Sequence, residues 1–445
     1  MPTAEPTGPI KDCELPALFA PLAEAPRIAL AVSGGGDSLA LLDCVDRWRR
    51  KRADPPTLIV LSVDHGLRKS SRTAAAGVAA ISRDRGIEVR LLRWTGRKPQ
   101  SDIEAAARAA RYRLLLAAAR EFGVSHVLLG HHLDDQAETL LLRLARGSGL
   151  FGLAAMRREI PVDDVTIFRP FLETSRSRLA ETIAVAGLTP VEDPMNTDPR
   201  FARARIRRIM PLIAADGVDP AGLAATARRL ADAAEAIDAA ASDLIAGAVE
   251  LNAMAAATID PAAFFNRPGE VWRRALLRLL LALGGVHYPP RFERLVALAD
   301  AMAAHRGRGR FKRTLAGTVV EWCGGGFVAY REIGREGLPE IGVKPGYRGL
   351  WDGRFRVEIG ADAPIGLRLA ALGEAGRRAL GVRSSGTVAA GALAALPALW
   401  RGARLRAVPG LDYFADGVRF SVESGSVLPE RLAAPPRFPD FLAPT

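Results

Sequence analysis

The sequence predicts an α/β protein, a doubly wound and mostly parallel sheet followed by a helical domain and a small α+β C-terminal domain. Three observations predict it. Between residues 27 and 130, short apolar runs alternate with Ala/Leu-rich stretches of crossover length, the rhythm of parallel strands joined by helices. Past Pro211 that rhythm gives way to long Ala/Arg/Leu stretches with no strands between them. Short strand-like runs joined by Gly-rich turns return after residue 310.

Residues 28–32, 58–63, 89–92 and 126–129 read as buried strands, each bounded by Gly, Pro or charged residues. Residues 37–50, 71–85 and 103–122 have the length and periodicity of the connecting helices. In such a sheet, ligands are expected at the carboxyl ends of the strands. Residues 221–246, 271–283 and 291–305 read as helices, which places a boundary near Ala215. Residues 311–315, 318–322 and 327–331 read as short strands. Residues 334–349, rich in Gly and Pro, read as a linker, and the alternation at 355–359 belongs to a third domain. The expected domains are residues 1–215, 216–335 and 346–430.

Composition narrows the class. With 445 residues, 49% apolar and 25% charged, the chain has the ordinary globular mix, which excludes disordered, collagen-like and disulfide-scaffold proteins. The net charge of +12 suggests a polyanionic partner, although an arginine- and alanine-biased codon usage gives the same skew. Cys13, Cys44 and Cys323 are scattered and form no metal-like or redox spacing, so a reducing compartment is expected. The first residues carry charges in place of an apolar signal segment, and the weakly polar run at 388–400 is too short and broken to span a bilayer. A cytoplasmic protein without a membrane partner is expected.

The strongest chemical signal is Ser33-Gly34-Gly35-Gly36-Asp37-Ser38, which runs from the first strand into a helix. Successive backbone N–H groups in such a turn converge, and the helix N-terminus adds its positive dipole end, so phosphate is the natural ligand. The turn lacks the G-K-[ST] of the P-loop NTPases, and Leu39 breaks a dinucleotide fingerprint. A capped Gly-rich turn is the bland alternative.

A second constellation, Gly130-His131-His132-Leu133-Asp134-Asp135-Gln136-Ala137-Glu138, follows another strand. Asp135 and Glu138, three apart on a helix, share a face, as do Asp134 and Glu138, four apart. Carboxylates so close repel unless a divalent ion lies between them, although acids in a first helical turn also serve as dipole partners. The imidazoles of His131 and His132 can donate to phosphate or adenine, or relay a proton. A third feature is Arg200, Arg203, Arg205, Arg207 and Arg208 after Asp193 to Asn196, a cluster that suits phosphate or simply a solvated helix. Arg306, Arg308, Arg310, Lys312 and Arg313 suit an RNA backbone or guard a sheet edge.

The glycine-rich loop resembles the PP-loop of the N-type ATP pyrophosphatases, which cleave ATP to AMP and pyrophosphate. That resemblance implies an adenine-nucleotide α-hydrolase-like fold and a magnesium ion at Asp37, since a carboxylate beside phosphates needs a cation between them. Together with Val63-Asp64-His65-Gly66-Leu67-Arg68, the Glu104 to Tyr112 helix and Arg146-Gly147-Ser148-Gly149, the loop makes residues 27–215 similar to the tRNA(Ile)-lysidine synthetase family. The resemblance implies ATP and Mg2+ as cofactors, and the CAU-anticodon isoleucine tRNA and free lysine as partners. It implies nucleotide contacts from Ser33 to Ser38, His65 and His131, and substrate contacts from Arg108, Arg111, Tyr112, His132, Arg203 and Arg207. Asp37, Asp135 and Glu138 would carry the chemistry, with Asp37 and Asp135 the metal ligands; which of Asp135 and Glu138 is base and which is ligand stays open. Where the family pattern R-N-x-[IL]-R expects asparagine, this chain has Ala204. The alternatives are a tRNA thiolase and a small-molecule amide ligase, and a homodimer is compatible with all three.

Overall fold

The computed structural model describes residues 7–66, 70–96, 98, 103–162, 164–191, 198–285, 289–305, 307–381, 389–415 and 421–433, with the side chains at 70–74 and 104–105 excepted. These form two compact units, one running to Ala234 and the other beginning at Glu235.

The first unit is built on a six-stranded sheet: β1 (Arg27–Ala31), β2 (Thr57–Asp64), β3 (Glu88–Arg93), β4 (His126–Leu128), β5 (Glu159–Val162) and β6 (Val165–Phe168), in spatial order β3-β2-β1-β4-β6-β5. Every neighbouring pair is parallel except the β5–β6 hairpin. Alternation along β1 explains how the sheet is covered on both faces. Ile28 and Leu30 pack with Leu42 and Val45 of α2 (Gly36–Arg50), Val78 of α3 (Ser70–Asp84) and Leu179 of α7 (Arg176–Val185). Ala29 and Ala31 face the other way, against Leu115 and Ala119 of α4 (Ile103–Glu121). Small side chains on that face let the helix approach the sheet closely.

Three sequence expectations need correction here. The long helices past Pro211 are not free of intervening strands, because Val249–Leu251 and Ala257–Ile259 pair with each other between them and join the sheet through Gly326–Arg331. Strand β3 is mostly exposed, since it is a sheet edge and has a neighbour on one side only. The stretch 334–349 is not a plain linker, because Ile341–Val343 pairs with Leu367–Leu369 and Arg348–Trp351 pairs with Phe355–Glu358. Helix α5 (Leu133–Leu144), the single turn α6 (Leu150–Leu153) and helix α8 (Ala202–Ala215) complete the unit, and α9 (Pro220–Ala248) runs through the division at Ala234.

The second unit holds an antiparallel five-stranded sheet that includes Lys312–Leu315, Thr318–Cys323 and Gly326–Arg331, with the helices Gly269–Gly284 and Phe292–Ala304. Another five-stranded sheet and a three-stranded sheet follow. One apolar core connects Leu276 and Leu279 with Phe327, Trp351, Leu369 and Leu399. Within it, Arg274 forks onto Asp238 with bonds of 2.5 and 3.0 Å, which pairs both buried charges.

Candidate active site

Strands β1 and β4 are neighbours, yet the chain leaves β1 toward β2 on one side and reaches β4 on the other. This is the topological switch point, and the crevice outside its carboxyl ends receives both motif turns. Leaving β1, the backbone takes a left-handed residue at Gly34 (φ 90°) and enters α2 through extended Gly35, and no side chain caps that helix. Its first-turn amides therefore remain available to an anion. The Ser38 hydroxyl donates to the Gly35 carbonyl at 2.8 Å and accepts from the Ser33 amide at 3.2 Å, so it holds the loop closed.

Beyond β4, Gly130 passes so near this loop that a Cβ there would lie 2.7 Å from the Asp37 carbonyl oxygen. Only glycine allows that approach. At the start of α5 the His132 amide then donates to the Asp135 carboxylate at 3.2 Å. The His132 ring is 1% exposed, and Nε2 lies 3.5 Å from both Asp37 and Asp135 while Nδ1 lies 3.6 Å from Asp134. Burial opposes charge on this ring, but the three carboxylates win and push its pKa up to about 10. The long 3.4 Å bond from the Asp135 amide to Nδ1 would require a neutral ring; with three carboxylates around it, the imidazolium is the better description. Burial likewise raises Asp37 in opposition to His132, Arg176 and Arg207, and here the cations prevail and hold the carboxyl below its usual range.

The carboxylates of α5 part company. Asp134 accepts the Arg176 amide at the start of α7 at 2.9 Å. Asp135 and Glu138 turn to α8, where Arg207 donates to Glu138 at 2.6 and 3.2 Å and Arg203 lies 3.4 Å from both acids. Of the arginine cluster, only this i,i+4 pair faces the site; Arg200 bonds Asp198 and Arg205 bonds backbone carbonyls. Ala204 between them is buried. Burial and the neighbouring Asp135 raise the pKa of Glu138 despite its arginine partners.

Behind this acidic row lies a cationic one. Arg108 stacks 5.5 Å from the Tyr112 ring, and Arg108, Arg111, Arg169 and Arg203 all act on His131. Burial and these like charges depress both His131 and Arg108. Tyr112 is buried, yet the arginines lower its pKa. His65 stands just past β2 against Trp94, with ring centroids 6.3 Å apart, and its Nδ1 is a buried atom with no partner among the described residues. Leu67, Arg68, residues 193–196 and Arg306 lie outside the described residues.

Sequence reasoning missed Arg169. It follows β6, is 0% exposed and donates from Nε to His131 Nδ1 at 3.2 Å. The available signal was an arginine directly after the apolar run 165–168, at the carboxyl end where ligands bind. Among the described residues, no group of three His, Cys, Asp or Glu side chains is placed to hold a metal. A magnesium ion needs only one or two carboxylates when phosphates supply the rest. Asp37, with its side chain 41% exposed beside the loop, fits that requirement, and Asp135 faces the same imidazole nitrogen.

Residues 10–213 match the PP-loop domain family. Over 319 residues the chain is 44% identical to the tRNA(Ile)-lysidine synthase of Rhodopseudomonas palustris, covering 69% of this chain and 91% of that protein. The chain belongs to the tRNA(Ile)-lysidine synthase family. The enzyme of that name from Ruegeria pomeroyi aligns farther, with 38% identity over 90% of this chain and 92% of its own length. The PP-loop domain matched over residues 10–213 makes the chain an ATP-using member of this lysidine synthase family.

Proposed function

We propose that this chain converts the wobble cytidine of the CAU-anticodon isoleucine tRNA to lysidine, with ATP and free lysine as co-substrates. The observation that supports this most is the meeting of three motifs at one switch point: the loop after β1, the His-His turn after β4 and the Arg203/Arg207 pair of α8. In the first step the cytosine C2 oxygen attacks the α-phosphorus of ATP; the bond from that phosphorus to the bridging oxygen breaks and pyrophosphate leaves. The amides of the α2 turn would hold the departing phosphates. In the second step the lysine ε-nitrogen attacks C2, the C2–O bond breaks, and AMP leaves with the oxygen.

The attacking amine must lose a proton, and Glu138 is fitted to take it because its surroundings already raise its proton affinity. Arg207 must then release that carboxylate, so the ion pair is a resting arrangement that a cationic lysine displaces. Asp37 and Asp135 would hold magnesium, which neutralises phosphate charge when bound. Residues 1–215 would form the catalytic domain, residues 216–335 a helical tRNA-binding domain and residues 346–430 a small domain that also contacts tRNA; the cytoplasm is the expected location.

A persulfide route through Cys44 is not favoured, since burial pushes its thiol up to about 12 and so denies it the thiolate form. The deciding experiment incubates the protein with ATP, magnesium, lysine and CAU-anticodon tRNA and measures pyrophosphate. Release that requires tRNA is expected, limited to about one pyrophosphate per tRNA without lysine and accompanied by AMP only when lysine is added. Release without tRNA would instead identify a small-molecule amide ligase.

A further inference from the structure

We infer that Arg169 is a positioning residue for the ATP-dependent step: it holds His131 as the neutral ring with its proton on Nε2, a hydrogen-bond donor for a phosphate oxygen of the nucleotide. The nucleotide half of this inference rests on the reading above; the assignment of the proton does not.

The geometry starts from the sheet. Strands β4 and β6 are paired in parallel from His126 and Thr166 to Leu128 and Phe168, and the Leu129 amide extends the ladder by bonding the Phe168 carbonyl at 2.9 Å. The two chains therefore leave the sheet side by side, one into Arg169 and the other into Gly130 and His131. Arg169 is fixed at both ends: its amide donates to the Arg158 carbonyl at 2.9 Å, and Nη1 donates to the Arg157 carbonyl at 2.7 Å. The same guanidinium also bonds Tyr112. Its Nε then meets His131 Nδ1 at 3.2 Å.

A guanidinium has donors only and keeps its charge. The nitrogen it meets must therefore offer a lone pair, which leaves the ring proton on Nε2. A second proton, on Nδ1, would point at the arginine. It would also add a positive charge among Arg169 beyond β6, Arg108 and Arg111 of α4, and Arg203 of α8, all of which act on this ring. Burial and those charges keep His131 neutral. A neutral N–H in such surroundings is a directional donor that needs no further charge. The two adjacent histidines are thus set to opposite tasks: His132 carries charge among carboxylates, and His131 carries a single aimed proton among arginines. This arrangement removes His131 from the role of proton relay.

The test uses the full-length protein labelled with 15N-histidine. The chain has six histidines, and the His131 signal is identified by its loss in His131→Gln. The expected ring spectrum is that of the Nε2–H tautomer from pH 6 to 8; an Nδ1–H tautomer or an imidazolium at pH 7 overturns the inference. Pyrophosphate release tests the donor. Glutamine can place an amide N–H near the Nε2 position, so His131→Gln should stay within about tenfold of wild type while His131→Ala falls about 100-fold, in kcat rather than in KM for ATP. Equal losses in the two variants overturn the donor role. Arg169→Lys keeps the charge but not the fixed Nε donor, and should mix the tautomers and lower kcat; if it does not fold, the wild-type spectrum still decides. Pyrophosphate release that needs no tRNA would sink the lysidine reading and leave the proton assignment standing.

Discussion

A neutral imidazole at position 132 would leave Asp37, Asp134 and Asp135 to repel one another across a few ångströms. Protonation relieves that repulsion, and it links stability to pH with a definite sign. Because the folded-state pKa is raised from 6.5 to about 10, the contribution is full below pH 6.5 and is lost as pH rises through 10. The stability difference between wild type and His132→Gln, measured by urea denaturation, should therefore be largest at pH 6 and smallest at pH 10; a difference that grows with pH would contradict the assignment. At the neighbouring carboxylate, Asp37→Ala should abolish pyrophosphate release and leave tRNA affinity nearly unchanged. Full turnover in that variant would remove the magnesium role from Asp37.

Between elements, the tightest constraint is the crossing of the two turns at Gly130. An added methyl would meet the Asp37 carbonyl at 2.7 Å, and neither backbone can yield without moving the loop or α5. Gly130→Ala should cost about 1–3 kcal/mol, as overpacked sites do, and should abolish the thermal stabilisation that ATP gives wild type. A retained ATP-induced shift would show that the loop does not depend on the crossing. The sequence made both turns legible because each joins a short apolar run to a helix within ten residues, where local chemistry decides. It did not reveal which carboxylate pairs with what. Asp134 and Asp135 are adjacent in the chain, but α7 takes the first and α8 the second. Arg169 escaped notice for a similar reason: its partner is 38 residues away, and only the β4–β6 pairing brings them together. The exposure of β3 depends on its place at the sheet edge, which its apolar residues do not encode.

For the molecule as a whole, the charge of +12 is most testable where arginine is exposed and carries no carboxylate partner among the described residues. Lys312 is held by Glu321 at 3.1 Å and by Tyr330, whereas Arg308, Arg310 and Arg313 are exposed, with Arg313 lying over Phe311. Replacing those three arginines by alanine should reduce the slope of log affinity for tRNA against log salt by about 0.7 to 0.9 for each phosphate that the protein no longer neutralises. An unchanged slope would assign them to guarding the edge strand Lys312–Leu315. Helix α9 has its own bearing on how the protein can be dissected. Its 29 residues belong in part to each compact unit, and short isolated helices are marginal in water. A gene divided between codons 234 and 235 would give each product a fraying stump; a join placed ahead of Pro220 keeps the rod intact.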